Sequence, residues 1–150
     1  MNPQQTNPAH DPLSLDNQLC FALYSTSLAL TQFYKPLLEP LGLTYPQYLI
    51  MMILWREDGI SLIDIARQLG QKPGALAPVL KRMADQGLLT KARSANDERL
   101  LDIHLTAQGR QLRAQALTVS RCMFEQCGLE PQQIMRLKGE LDALRQRFIA

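Results

Sequence analysis

The sequence predicts a mainly α-helical protein that contains one small β-hairpin. Apolar residues recur at spacings of three and four along most of its 150 residues, which is the pattern of amphipathic helices. Two short helices with helix-turn-helix proportions lie near the middle, and two short strands around a polar turn follow them. These observations predict a winged helix-turn-helix segment at about 44–106, flanked by helices at about 15–40 and 107–149.

The composition is that of an ordinary globular protein, with 46% hydrophobic and 20% charged residues. The net charge of +2 is unevenly placed, because residues 1–58 carry −3 and residues 59–110 carry +3. That asymmetry favours a polyanionic partner for the middle segment. No apolar run approaches a membrane span of about 18 residues, and the polar start lacks a signal-peptide pattern. We expect a cytoplasmic protein with a flexible tail at 1–14 and no membrane partner.

The helices before the middle segment have recognisable boundary signals. Ser14 or Asp16 can cap the first helix, and Pro36 is expected to kink or end it. Thr44 and Gln47 form the pattern of a capping box that opens the next helix.

Two short helices form the predicted helix-turn-helix. Ser61 caps the first of them and Gly70 ends it. The second is expected to start near Gly74 or Ala75, which would place Pro78 in the first turn, where a missing N–H has no partner to lose.

The remaining elements follow the same logic. Residues 88–105 predict a hairpin with a polar turn. Thr106 caps a helix that is expected to reach about Phe124, and Pro131 starts a last helix that reaches Phe148.

The first and last helices carry large apolar stripes, which a 150-residue monomer would struggle to cover. We expect the stripes to pair across a two-fold dimer. Packing of the two helices on each other within one chain is the alternative.

The middle segment has a physical use in DNA binding. A helix fits the major groove, and a hairpin tip reaches the adjacent minor groove. Arg99 at the tip is the candidate for the minor groove, with Asp97 placed to orient it. A solvated charged face is the alternative for the basic residues of this segment, which are Arg67, Lys72, Lys81, Arg82, Lys91, Arg93 and Arg99.

Several motifs carry a resemblance to a known family. The run at 78–89, followed by Asn-Asp-Glu-Arg at 96–99, resembles the MarR family of winged-helix regulators. Leu-Asp-Asn-Gln-Leu-Cys-Phe at 15–21, with the runs at 34–38 and 43–48, resembles the organic-hydroperoxide resistance regulators, the OhrR branch, in their two-cysteine type. The resemblance covers about 15–148.

One stretch departs from the family pattern. The recognition helix of the family usually starts with a Ser-Gly-Thr-Leu-Thr-Pro type of run, whereas this chain has Pro-Gly-Ala-Leu-Ala-Pro at 73–78. Ala75 and Ala77 can touch thymine methyl groups but cannot donate hydrogen bonds. The operator preference is therefore expected to differ.

The resemblance implies a homodimeric transcriptional regulator, a repressor, that leaves a palindromic operator in double-stranded DNA when organic hydroperoxide oxidises Cys20. It also implies that Tyr34 and Tyr45 of the partner subunit hydrogen-bond to this peroxidatic thiol, and Tyr24 is a further polar neighbour. The DNA-contacting residues are expected to be Arg99, Asp97, Arg93, Lys72, Ala75, Ala77, Lys81 and Arg82.

The resemblance also implies a resolving cysteine from the other subunit, at a position near Glu125, which is not a thiol. Cys127 lies two residues further along, and Cys122 lies three residues before. We favour Cys127, because the helix is expected to break there and mobile backbone could move to meet Cys20. Resolution by Cys122 or by small thiols remains open.

Other functions are weighed against this one. No cysteine and histidine spacing matches a zinc site, and we expect no cofactor. A thiol peroxidase would use Cys20 but would not need the DNA-binding segment. A regulator controlled by a non-covalent aromatic ligand would keep its response when Cys20 is replaced by serine.

Overall fold

The computed structural model describes residues 11–149. The helices are α1 (Leu19–Leu38), α2 (Tyr45–Arg56), α3 (Leu62–Leu69), α4 (Pro73–Asp85), α5 (Ala107–Cys127) and α6 (Pro131–Gln146). The strands are β1 (Ile60–Ser61), β2 (Leu89–Arg93) and β3 (Leu101–Leu105). This mainly helical chain with a small sheet confirms the predicted fold class.

The chain enters α1 through a turn. In the part of the predicted tail that is described, Ser14 N donates to Asp11 O at 3.1 Å; residues 1–10 lie outside the described residues. A short 3-10 turn, Leu15–Asn17, precedes α1, whose cap position is Gln18 rather than Ser14 or Asp16.

Two prolines lie inside helices. Pro36 does not end α1, which continues to Leu38, and α4 begins at Pro73, so that Pro78 falls in its second turn and not in the first as predicted. A proline inside a helix removes one hydrogen bond. Burial of Leu76 and Leu80 on one face of α4 stabilises that helix in spite of the loss.

Most predicted boundaries are confirmed. Thr44 and Gln47 form the reciprocal capping box of α2. The hydroxyl oxygen of Ser61 accepts from the backbone of α3, and Gly70 ends that helix in the left-handed conformation with φ 66°. Thr106 caps α5 through a bond from Gly109 N to its hydroxyl oxygen of 3.0 Å.

The sheet has one strand more than predicted. β2 and β3 form the expected antiparallel hairpin, and β1 pairs with the other edge of β3, so that the order is β1-β3-β2. A two-residue strand is too short to show an alternating pattern in the sequence. Ile60 pairs with Ile103, which is fully buried.

The core lies where α2, α3 and α4 meet the sheet, and the C-terminal half of α1 and the face of α5 with Ala116 and Val119 close it. Its fully buried large side chains include Ile50, Met51, Leu54, Ile65, Leu76, Leu80, Met83, Leu89 and Ile103.

The flanking helices leave apolar surface uncovered. Over the described chain, α6 contributes no buried residue, and Leu137 and Leu141 of its apolar stripe are exposed. Leu19 of α1 is 61% exposed and Leu28 is 48% exposed. Large apolar side chains left exposed along two helices indicate an interaction face. Among the described helices, no single one is both long and apolar enough to cross a membrane.

Candidate functional site

The exposed face of α4 lies beside the hairpin. Lys72 occupies the cap position of this helix, and Leu76, Leu80 and Met83 point into the core. The 3.6-residue period therefore turns another set of side chains toward solvent. That exposed set includes Ala75, Ala77, Lys81 and Arg82.

The hairpin tip is ordered by its own side chains. Arg99 Nε lies 3.2 Å from Asp97 Oδ1, Nη2 lies 3.4 Å from Oδ2, and the Arg99 backbone N–H also donates to Oδ1 at 3.0 Å. These bonds hold the pKa of the Asp97 carboxyl below its usual range. Arg93 Nη1 donates to the carbonyl of Glu98 at 3.1 Å.

The guanidinium at the tip is available to a ligand. The Arg99 side chain is 90% exposed although it is paired with Asp97. An ion pair in such an exposed setting contributes little to stability. The ion pair instead orients the Arg99 side chain. A carboxylate that binds one edge of a guanidinium leaves the other N–H donors free for an anion or a base edge.

Cys20 is the second residue of α1 and is exposed. Negative charge is favoured in the first turn of a helix. Tyr24, 64% exposed, follows one turn later. Cys20 precedes Tyr34 by 14 residues of the same helix, which amounts to about 21 Å along the axis. Within one chain the thiol of Cys20 is therefore far from that phenol.

Tyr34 and Tyr45 lie together. Their ring centroids are 4.8 Å apart, with the planes tilted by 34°. Burial is the largest cause that raises the pKa of Tyr34 to about 12, and the charges of Tyr45, Tyr48 and Cys127 add to it. Burial also raises the pKa of Tyr45. Both phenols are therefore protonated near pH 7 and can donate hydrogen bonds.

Tyr48 belongs to the same cluster and was not predicted from the sequence as a site residue. Its ring centroid lies 5.8 Å from that of Tyr34 and 6.3 Å from that of Tyr45. The spacing of three residues between Tyr45 and Tyr48 on α2 was the available signal, because such residues share a helix face.

Cys127 is the last residue of α5, and Gly128 ends the helix with φ 62°. The expectation that the helix stops near Phe124 and leaves Cys127 in irregular backbone is therefore wrong. The Cys127 thiol is exposed and lies 3.7 Å from Met123 Sδ. It lines a groove of about 360 Å³ against α1, together with Thr26, Ala29, Leu30, Phe33, Met123 and Gln126.

Cys122 lies in a different place. It is half-buried and lines a smaller groove of about 260 Å³ with Leu37, Pro40 and Leu41, at the C-terminal end of α1. The two cysteines of α5 are five positions apart, so they point about 140° apart around the helix. Of the two, Cys127 is the thiol that contributes to the raised pKa of Tyr34.

The comparisons with known proteins agree on one family. The model of the MarR family matches residues 43–101. The organic hydroperoxide resistance transcriptional regulator of Bacillus subtilis (strain 168) is 40% identical over 134 residues, which span 89% of this chain and 91% of that protein.

Solved structures of AbfR, a protein of Staphylococcus epidermidis, are also similar. Reduced AbfR bound to DNA is 34% identical with a TM-score of 0.76, over 91% of this chain and 95% of that one. The disulfide-formed AbfR is 37% identical with a TM-score of 0.65, over 87% of this chain and 91% of that one.

Proposed function

The chain belongs to the MarR family, and on that premise we propose that it is a dimeric transcriptional repressor that leaves its operator when an organic hydroperoxide oxidises Cys20. The relatives of the chain are transcriptional regulators, so the alternative of a thiol peroxidase is set aside. Solved relatives in reduced, DNA-bound and disulfide-formed states support a redox-controlled DNA-binding protein.

DNA binding is assigned to α4 and the hairpin. The helix enters the major groove with Lys72, Ala75, Ala77, Lys81 and Arg82, and Arg99, oriented by Asp97, enters the adjacent minor groove with Arg93 nearby. The exposed positions of these side chains support the assignment. A two-fold dimer matches a palindromic operator, and phosphate contacts make the affinity fall steeply with salt.

The redox site is assigned to two subunits. The observation that carries this assignment is the contact of Tyr34 with Tyr45, while Cys127 lies beside Phe33 of the same helix and Cys20 of the same chain is about 21 Å from Tyr34 along α1. A second copy brings its own Cys20 to the cluster when the uncovered faces of α1 and α6 pair. The two phenols then donate hydrogen bonds to the thiolate, with Tyr24 as a further polar neighbour.

The chemistry proceeds in two balanced steps. The Cys20 thiolate attacks the distal oxygen of the hydroperoxide and the O–O bond breaks, so that Cys20 keeps the distal hydroxyl as a sulfenic acid, while the proximal oxygen leaves as the alkoxide and takes a proton to become the alcohol. The Cys127 thiol of the partner subunit then attacks this sulfur, a disulfide forms, and the hydroxyl leaves as water. Cys122 and small thiols are the alternatives for the second step.

A direct test compares reduced and oxidised protein on one duplex, selected by the reduced protein from a random pool. Cumene hydroperoxide is expected to release the duplex from wild type, and mass spectrometry is expected to show that Cys20 is modified at the same time. Cys20→Ser is expected to bind the duplex and to keep it bound after the oxidant is added. Release of DNA from Cys20→Ser on oxidation would contradict the proposal.

Control by a non-covalent aromatic ligand is the second candidate. A groove of about 480 Å³ opens beside Tyr45 between α1 and α4, and Lys35 and Arg82 lie on its wall as partners for an anionic group. In that case salicylate, as a probe, releases DNA from wild type and from Cys20→Ser alike. Salicylate without effect on either protein removes this candidate.

A further inference from the structure

The tyrosine cluster continues along α2 beyond the redox site. The ring of Tyr48, a buried residue, touches Tyr34 and Tyr45 on one side and Trp55 on the other, at a centroid distance of 6.4 Å and an interplanar angle of 69°. Edge-on contacts of this kind are favourable and directional. Aromatic rings therefore connect the candidate thiol site with the last turn of α2.

Trp55 continues the connection to α5. Its indole N–H donates to the carbonyl of Gly109 at 2.9 Å. Gly109 lies in the first turn of α5 and packs against the backbone of Leu88. A Cβ added to Gly109 would stand 2.2 Å from the carbonyl oxygen of Leu88. Thr106, directly before α5, also binds residues 87 and 88. Its hydroxyl donates to Gly87 O at 2.7 Å, and its N–H donates to Leu88 O at 3.1 Å.

The turn at 87–88 joins α4 to β2, the two elements assigned to DNA. If the first turn of α5 moves, residues 87–88 therefore have to move with it. Otherwise a hydrogen bond of Thr106 breaks, or the backbone of Gly109 collides with the carbonyl oxygen of Leu88. Packed interiors respond to such a displacement by moving elements as units.

We propose that Trp55 couples the redox site to the DNA-binding elements. When oxidation displaces Tyr34 and Tyr45, the displacement passes through the Tyr48 ring to the indole, and the indole N–H passes it to Gly109. Trp55 is thus a positioning residue that touches neither the thiols nor DNA. The inference rests on the proposed function, because the tyrosines carry a signal only if a thiol reacts beside them.

The test measures the ratio of the Kd for DNA after oxidation by cumene hydroperoxide to the Kd before it, on the selected duplex at one salt concentration. Trp55→Phe keeps a ring but removes the N–H, and is expected to lower this ratio by roughly two- to thirtyfold. Tyr48→Phe, which keeps the ring contacts, is the matched control and is expected to keep the wild-type ratio.

Two outcomes of this measurement overturn the coupling role. One is a wild-type ratio in Trp55→Phe, and the other is an equal loss in Trp55→Phe and Tyr48→Phe. A wild-type protein that keeps its DNA affinity after Cys20 is oxidised overturns the proposed function itself. The two failures are therefore distinguishable.

A second measurement does not depend on the folding of a variant. Trp55 is the single tryptophan of the sequence, so the intrinsic fluorescence reports on its surroundings. Oxidation of DNA-free wild type is expected to shift the emission maximum or change its intensity, and Cys20→Ser is expected to show neither change. Identical emission from reduced and oxidised wild type overturns the coupling role.

Discussion

The rings of Tyr34 and Tyr45 pack at a tilt with centroids 4.8 Å apart, although the residues belong to two different helices. The packing of α1 against α2 therefore creates a patch with two protonated phenols, and Cys127 at the end of α5 contributes to the electrostatics of Tyr34. One chain thus supplies two phenolic hydrogen-bond donors and a candidate resolving thiol, and the proposed redox site takes its Cys20 from a second chain.

The raised pKa of Tyr34 predicts a pH dependence. The folded-state pKa of about 12 exceeds the ordinary value of 10.0, so the contribution of this group to stability is present below pH 10 and is lost as the pH rises toward 12. The tyrosinate absorbance of wild type minus that of Tyr34→Phe is expected to show a step near pH 12. A step at the ordinary value would show that the phenol is not buried.

Arg99→Ala is expected to weaken operator binding by roughly 1–3 kcal/mol, because the side chain is assigned to a groove. The reaction of Cys20 with hydroperoxide is expected to stay unchanged, since Cys20 lies near the start of α1 and Arg99 in the turn between β2 and β3. Arg136→Ala is the matched control, because Arg136 forms a similar exposed ion pair with Glu140 on α6. Equal affinities of Arg99→Ala and wild type, by fluorescence anisotropy, would assign Arg99 to a solvated surface.

Gly109→Ala is expected to destabilise the protein by about 1–3 kcal/mol, the usual cost of overpacking. The new methyl group would overlap the Leu88 carbonyl oxygen, and backbone cannot give way as a side chain does. Gly139→Ala is the control, because nothing lies within 4 Å of its added Cβ. This change is expected to stabilise α6 by up to about 1 kcal/mol.

Urea unfolding at one fixed protein concentration measures the stability of both glycine variants, since the stability of the proposed dimer would depend on concentration. Equal unfolding midpoints for Gly109→Ala and wild type would contradict the close contact between α5 and Leu88.

The elements that the sequence predicted well are those with local signals. The caps at Thr44, Ser61 and Thr106, and the left-handed Gly70, each depend on residues within one turn of chain. Such patterns keep their meaning in any fold. The exposed charges of the hairpin tip follow in the same way from a short polar run.

The remaining features depend on contacts between distant segments. Pro78 is accommodated because α4 buries its opposite face, and β1 exists because β3 offers a free edge. Neither fact is visible in the local sequence. The contact of Trp55 with Gly109 joins residues 54 positions apart, so no local spacing reveals it.

The two candidate resolving thiols differ in a way that gels can measure. Cys127 lies in the groove beside Phe33, whereas Cys122 lies in the groove beside Leu37 and Pro40. Only Cys127 of these two contributes to the raised pKa of Tyr34. If Cys20 of the partner subunit reacts beside Tyr34, the Cys127 thiol is the better placed to attack its sulfenic acid.

Wild type and Cys122→Ser are therefore expected to run as covalent dimers on non-reducing gels after oxidation by cumene hydroperoxide. Cys127→Ser is expected to run as a monomer that still forms the sulfenic acid, because attack on the peroxide does not involve the resolving thiol. A covalent dimer that persists in Cys127→Ser and disappears in Cys122→Ser would assign resolution to Cys122 instead, and persistence in both would show that neither thiol alone is required.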